Sequence, residues 1–343
     1  MYYFCMMKRL KIKFLSVGCA DSILISYQNT DNQPCHIILD GGEKDNFQLL
    51  KQELDSLPYV NLLVITHIHN DHIGGLSQLV NDATFCKKGF IKSCWFNAYT
   101  KIQHPLQQSG HIGVKEGILL RDDLTQRLGI DLPFVTTQTP HLDLHSAKLT
   151  VLSPDFKSLE KMLAHWQIHE PIGTRQSDYD RTIEELAKKK QPRFDNSTVN
   201  RSSIAFLFEY EAVKILLLAD SHPSVVEASL RALKYSEVNK LKVDYMKVAH
   251  HGSKYNTSSE LLNLIECRQF IFTADGLSNP DKVVLARIIT HYYDPDDAPI
   301  KLIFTDKTTN LENIFSVDEN PFERWNFTVE YPTVGQNAYI IEH

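Results

Sequence analysis

Thr66-His67-Ile68-His69-Asn70-Asp71-His72-Ile73-Gly74-Gly75-Leu76 is the stretch that decides the fold. Three imidazoles and a carboxylate (His67, His69, Asp71 and His72) fall within six residues, and such groups suit Zn²⁺, Mn²⁺ or Fe. The stretch follows Leu62-Leu63-Val64-Ile65, an apolar run of strand length that reads as a buried strand. On an extended strand end His67 and His69, two apart, point the same way. Asp71 and His72 come as the chain turns, so they can face a second centre close by. Gly74-Gly75 then supply backbone freedom for the turn.

Two further strand ends carry the same chemistry. Leu216-Leu217-Leu218-Ala219-Asp220 places an aspartate after an apolar run, and Val248-Ala249-His250-His251-Gly252-Ser253 places two adjacent histidines after another. Alone, the first reads as a cap or turn residue and the second as an interior histidine. Together with His67 to His72, three strand ends deliver His and Asp groups. Successive residues of a strand point to opposite sides, so one of His250 and His251 is expected to face the metals. His250, which directly continues the strand, is favoured.

Outward from these motifs the pattern is α/β. Strands are expected at Leu10 to Val17, Asp21 to Tyr27 and His36 to Leu39, then a helix over Phe47 to Leu57 and another over Leu76 to Val80. The second half gives strands at Lys148 to Leu152, Ser203 to Glu209, Val213 to Leu218, Tyr245 to Ala249 and Phe270 to Thr273. Helices are expected at Thr182 to Lys190, Val225 to Leu233 and Ser258 to Ile265. Residues 1–343 read as one domain, with a helical and loop insertion over about 155–200.

Composition narrows the class. The 343 residues are 43% hydrophobic and 23% charged, ordinary for a globular protein. Lys+Arg number 36 and Asp+Glu 42, a net charge of −6, so the chain is not a general nucleic-acid binder. Its densest basic cluster, Lys188-Lys189-Lys190 with Arg193, reads first as a solvated helix end. The six cysteines form no CxxC pair, which suggests free thiols in a reducing compartment. No secretory leader is read at the start, and no apolar run approaches the roughly 18 residues of a membrane helix. A cytoplasmic protein without a membrane is expected.

The sequence resembles the metallo-β-lactamase-fold hydrolases, and within them the group that holds the hydrolase domain of the competence protein ComEC/Rec2. The matching residues are Phe14 to Ile25, Leu39-Asp40-Gly41-Gly42, Thr66 to Leu76, Asn200-Arg201-Ser202-Ser203-Ile204, Ala219-Asp220 and Lys247 to Ser253. The resemblance implies an αββα sandwich with a partly helical middle insertion and a site for two divalent metal ions, Zn or Mn, between the sheets. It assigns His67 and His69 to the first metal and Asp71 and His72 to the second. Asp220 is the bridge, and His250 or its rival His251 is the last ligand of the second metal. Asp40 stands behind the site, orienting a ligand histidine. The extra first-metal histidine has no clear match among His104, His111, His141 and His145. Asn200 falls in that region, an amide being a weaker ligand. Asn279-Pro280 stands where relatives often carry His-Pro.

The function implied is metal-dependent hydrolysis, with a water shared between the metals and Asp71 and Asp220 as the catalytic carboxylates. Ser202, Ser203, Ser253 and Lys254 are candidate substrate-binding residues. The substrate expected is a nucleic acid or another phosphodiester, which makes the protein a nuclease with a possible setting in defence against foreign DNA. A small-molecule phosphoester or nucleotide hydrolase is the alternative, and a non-catalytic subunit stabilised by its metals is a third reading.

Overall fold

The computed structural model describes residues 9–98, 112–164, 177–190 and 195–343. Met1 to Lys8, Cys5 included, lie outside them, as do His104, His111 and Arg193. The chain opens with a meander of β1 (Leu10–Leu15), β2 (Ile23–Gln28) and β3 (Pro34–Leu39), antiparallel throughout. Helix α1 (Phe47–Leu54) then leads to β4 (Leu62–Ile65), and α2 (Asn70–Leu79) leads to β5 (Cys94–Phe96), both strands joining in parallel. Helix α3 (Ile112–Asp122), β6 (Leu142–Leu144), β7 (Ala147–Ser153) and α4 (Phe156–Ala164) follow.

In the stretch expected as an insertion, α5 (Ile183–Ala187) starts with a capping box. Thr182 accepts from the Glu185 amide while the Glu185 carboxylate accepts from the Thr182 amide. Helix α6 (Thr198–Arg201) follows at the end of that stretch. Next come β8 (Ala205–Tyr210), β9 (Val213–Leu217), α7 (Pro223–Ala232), β10 (Leu241–Lys242), β11 (Tyr245–Lys247), α8 (Ser259–Asn263), β12 (Ile265–Glu266) and β13 (Gln269–Phe272). After α9 (Lys282–Tyr292) come β14 (Ile300–Phe304), β15 (Phe327–Glu330) and β16 (Ala338–Glu342).

The strands make two large sheets, in the orders β16-β1-β2-β3-β4-β5 and β15-β14-β13-β11-β9-β8-β7-β6. Alternation along each strand assigns the layers. Ile12, Phe14, Ile37, Leu62 and Val64 of the first sheet pack against Leu149, Phe206, Phe208, Ile215 and Leu217 of the second, forming the core between them. The other face of the first sheet, Ile38, Leu63 and Ile65, packs on Phe47, Leu50, Ile73 and Leu76 of α1 and α2. The other face of the second sheet, Leu207, Leu216, Met246 and Phe270, packs on Val226, Leu262, Val284 and Ile288 of α7, α8 and α9. The result is an αββα sandwich. It explains why β4 is apolar at every position and β9 over Ile215-Leu216-Leu217: there each is buried on both faces.

Three local features differ from the sequence expectation. Helix α2 begins at Asn70, not near Leu76, so the metal motif forms its first turn. Gly74 and Gly75 therefore lie inside this helix, and a close approach, not a turn, is what requires them. A Cβ on Gly75 would lie 2.1 Å from the Gly41 carbonyl oxygen, and one on Gly74 would lie 2.5 Å from the Lys44 amide nitrogen. Strand β11 ends at Lys247, and His250 and His251 sit in a tight turn with φ of 50° and 54°. Among the described residues, no helix is long and apolar enough to cross a membrane.

Candidate metal centre

The site forms where β3, β4, β9 and β11 release their chains at one end of the sandwich. Backbone in the left-handed region concentrates there: Asp40 (φ 53°), Ala219 (φ 46°), His250 and His251. Such residues cost free energy and persist only where surrounding structure holds them. Docking of α2 is part of that hold, since Gly41 N donates to His72 O (2.8 Å) and Gly75 N to Gly42 O (2.9 Å).

Four groups converge on one point. His72 Nε2 lies 3.6 Å from Asp71 Oδ2 and 3.5 Å from Asp220 Oδ1, while His251 Nε2 lies 3.3 Å and 3.7 Å from the same two oxygens. Ligands about 2.1 Å from a tetrahedral ion stand about 3.4 Å from one another, so this spacing fits a single cation. A second group shares Asp220. Its Oδ2 lies 3.8 Å from His67 Nε2, which lies 3.0 Å from His69 Nδ1. The two sets, Asp71-His72-Asp220-His251 and His67-His69-Asp220, meet at the Asp220 carboxylate.

Satisfaction of polar groups tests the fit. His72 Nε2, His251 Nε2 and both Asp220 oxygens are buried with no hydrogen-bond partner among the described residues. Buried polar atoms without partners are costly, and divalent ions at the two positions would satisfy all four. Charge agrees. Burial opposes ionisation of Asp220, yet His250, His72 and His251 hold its carboxyl well below the usual range. Burial likewise opposes a charged His72, but Asp220, Asp71 and Asp40 carry it well above the ordinary imidazole value. Protons thus stand where metal charge fits, so metal uptake should displace them.

The far ring nitrogens are held in place. His72 Nδ1 donates to Asp40 Oδ2 (2.7 Å), which also accepts from Thr66 Oγ1 (2.6 Å), while Asp40 Oδ1 accepts from Thr66 N (2.9 Å). His251 Nδ1 donates to Thr273 Oγ1 (3.0 Å), which donates to Asp21 Oδ1 (2.6 Å). Asp21 is paired in turn with the buried Lys247 ammonium. Asp21 and Lys247 fall within the matching stretches Phe14 to Ile25 and Lys247 to Ser253, where neither has an assigned role. Their charges neutralise each other, but residues 226 positions apart leave no sequence signal of that.

The geometry groups His251, and not the favoured His250, with Asp71, His72 and Asp220. The turn after β11 is not extended, so the two histidines do not point to opposite sides. Both approach Asp220, from either oxygen. Asn200 is buried beside the site, its Nδ2 donating to Asp195 Oδ2 (2.7 Å). Burial works against an ionised Asp195, but the His250 ring 3.6 Å away and the hydrogen bond from Asn200 hold its carboxyl at about 2. Neither sequence motif nor spacing marks Asp195.

The candidate substrate-binding residues separate. Ser202 and Ser203 are buried, and Ser202 Oγ donates to Val199 O (2.7 Å), closing α6. Ser253 is buried as well. Lys254 is partly exposed, 3.6 Å from Asp281 and over the Tyr255 ring. Of the described histidines in the interval searched for a first-metal ligand, His141 is exposed and pairs with Asp143 (3.4 Å) next to β6. Asn279 is buried, its Nδ2 3.5 Å from Cys19 Sγ. The thiol of Cys19 is pushed up to about 12 by burial and by Asp71.

Beside the site the surface is acidic. Glu43 is raised by burial and by Asp71, Asp45 and Asp275. Asp306, whose Oδ2 accepts from Gly18 N (3.1 Å), is pushed up to about 6 by burial, with Asp275 adding to it. A folded-state pKa above the ordinary value of about 4 gives stability that is complete below pH 4 and is lost as pH rises through 6. Asp306→Asn keeps an acceptor for Gly18 and removes the charge. It should unfold at the same denaturant concentration as wild type near pH 4 and be more stable by about 1–2 kcal/mol at pH 8, the full two-unit shift being discounted for partial exposure. Equal stability at pH 8 would refute the assignment.

The sandwich and the site at its edge are those of the metallo-β-lactamase fold. One family model matches, that of the anti-Pycsar protein Apyc1, over residues 10–109, less than a third of the chain. The match is to this family and not to the ComEC/Rec2 group that the motifs resemble. Among solved structures the chain is similar to CmlA, a diiron β-hydroxylase from Streptomyces venezuelae (13% identity, 98% of this chain and 55% of that one, TM-score 0.41). It is similar also to a diphosphatase of the PhnP family (12%, 77% and 86%, 0.37) and to a long-form RNase Z from yeast (10%, 86% and 36%, 0.37). The chain thus spans about half of CmlA. No curated protein matches it in sequence.

Proposed function

We propose that the protein is a metal-dependent phosphodiesterase acting on a small nucleotide, with cyclic nucleotides as the substrate class. The observation that carries this is the convergence of orphaned Nε2 atoms of His72 and His251 on the two bare oxygens of Asp220. Two divalent ions held there would supply a water of lowered pKa and positive charge against phosphoryl oxygens. The chain's own residues do the rest. Asp220 fixes the spacing of the two halves, while Asp40 and the Thr273-Asp21 pair lock the rings of His72 and His251. Asp71, with 27% of its side chain exposed, is the carboxylate at the opening and would orient the attacking water.

Two observations favour a small nucleotide over nucleic acid. The acidic flank at Glu43, Asp275 and Asp306 is a poor path for a polyanion. The anti-Pycsar family model over residues 10–109 supports a cyclic nucleotide substrate. The basic cluster adds little. Lys188 pairs with Glu184 (3.2 Å), Lys189 and Lys190 are exposed at the end of α5, and Arg193 lies outside the described residues.

Protein loaded with Zn²⁺ or Mn²⁺ should open cyclic mononucleotides to linear monophosphates. A chelator should abolish turnover, and changing Lys188, Lys189 and Lys190 to Glu should leave it unaltered. Cleavage of single- or double-stranded DNA or RNA without turnover of any cyclic nucleotide would overturn this reading in favour of a nuclease.

A further inference from the structure

We propose that His250 is a ligand of the first metal and that Asp195 is the positioning residue that turns it there. The proposal rests on the two-metal reading above and supplies the partner that the first group lacks beyond His67, His69 and Asp220.

The turn after β11 gives adjacent residues different tasks. His251 meets Asp220 at Oδ1, beside Asp71 and His72. His250 Nε2 lies 3.5 Å from Asp220 Oδ2, the oxygen that faces His67 Nε2 at 3.8 Å. Both rings stand at ligand spacing from that one oxygen, about 3.4 Å for a tetrahedral ion, but His250 is not within 4.8 Å of both His67 and His69, so an ion bound there would draw its ring inward. Two consecutive left-handed residues make this possible, since an extended chain would send the second ring away.

The other edge of the His250 ring is built to hold that orientation. Nδ1 donates to Asn256 Oδ1 (3.1 Å) and lies 3.6 Å from Asp195 Oδ2. Asp195 is fixed by three further donors: Ser197 N to Oδ1 (2.8 Å), and Asn200 Nδ2 (2.7 Å) and Asn256 Nδ2 (3.3 Å) to Oδ2. Asn256 Nδ2 also reaches the backbone oxygen of Asp220 (3.1 Å), tying this network to the bridging residue. A carboxylate behind a histidine whose far nitrogen faces a bare carboxylate oxygen is how proteins orient imidazole toward a metal.

The experiment is a titration of chelated, metal-free protein with Co²⁺, followed by calorimetry and the visible cobalt spectrum, on wild type, His250→Ala, Asp195→Asn and Asp195→Ala. Wild type should take two ions per chain and His250→Ala one tight ion. Asp195→Asn retains an acceptor and should weaken the first ion by about 10-fold, Asp195→Ala by about 100-fold, with the second ion unchanged. A general loss of structure would move both ions together. A zinc-loaded wild-type crystal gives a measurement free of folding effects: His250 Nε2 should lie about 2.1 Å from the first ion. Two ions in wild type with His250 away from both, or with unaltered binding in His250→Ala and Asp195→Ala, would overturn this assignment alone. No metal uptake by wild type would overturn it together with the proposed function.

Discussion

Asp220→Asn should lower turnover by about 10³-fold or more and leave at most one ion per chain, because one residue supplies an oxygen to each metal group. Asparagine matches the shape of aspartate but brings no charge, and one of its two arms is a donor that repels a cation. The substitution should not unfold the protein. Neither Asp220 oxygen makes a hydrogen bond among the described residues, so what the metal-free fold loses is the attraction between this carboxylate and the His72, His250 and His251 rings. The metal-free variant should melt lower than metal-free wild type because that attraction is gone, and the stabilisation that wild type gains from added metal should largely vanish. Elemental analysis, turnover and thermal melts with and without metal check the three parts. Full metal content in the variant would refute the bridging role.

Gly75→Ala should be worse for the fold than any substitution at a metal ligand. Alanine is the better helix former by about 1 kcal/mol. Here, however, its methyl would lie 2.1 Å from the Gly41 carbonyl oxygen and 3.0 Å from the Gly41 carbonyl carbon, backbone atoms of a turn that α2 itself pins. Side chains can rotate out of a clash, but this turn cannot move without releasing Asp40, and with it His72. A loss of about 3 kcal/mol or more is expected, with a melting temperature lower by roughly 6–12 °C. Metal affinity should fall with it, because α2 carries Asp71 and His72. Gln78→Ala, on the same helix without that contact, should change stability by less than about 0.5 kcal/mol. Equal stability of Gly75→Ala and wild type would show that α2 is not docked as described.

The fold class was legible because its layers print directly on the sequence. Leu62 to Ile65 is apolar at every position, and the strand spans exactly those four residues because both faces are covered. The end of the chain was not legible in the same way. Helix α9 and strands β14 to β16 follow the last motif, so nothing chemical drew attention to their ordinary apolar patterns. At the site, spacing brought out His67, His69, Asp71 and His72, since a local motif leaves a local trace. His251 was ranked second because its placement depends on a left-handed turn, which dipeptide composition does not reveal. Asp195 and Asp21 belong to networks assembled by tertiary packing, and no property of their neighbours in sequence announces them.

The pairing of β16 with β1 has a consequence in time. Lys11 faces Glu342 and Leu15 faces Ala338, partners separated by nearly the whole chain. At about 5–20 residues per second, roughly 20 seconds to a minute of synthesis separates these two strands. Throughout that interval the outer edge of β1 is unpaired in the nascent polypeptide, open to pairing with a neighbouring chain. Lys11 and Lys13 sit on that edge strand, and each later finds a carboxylate, Glu342 and Glu53. Before Glu342 arrives, the uncompensated charge of Lys11 repels other nascent β1 strands, so this ion pair of the finished protein serves as a guard against aggregation while it is being made.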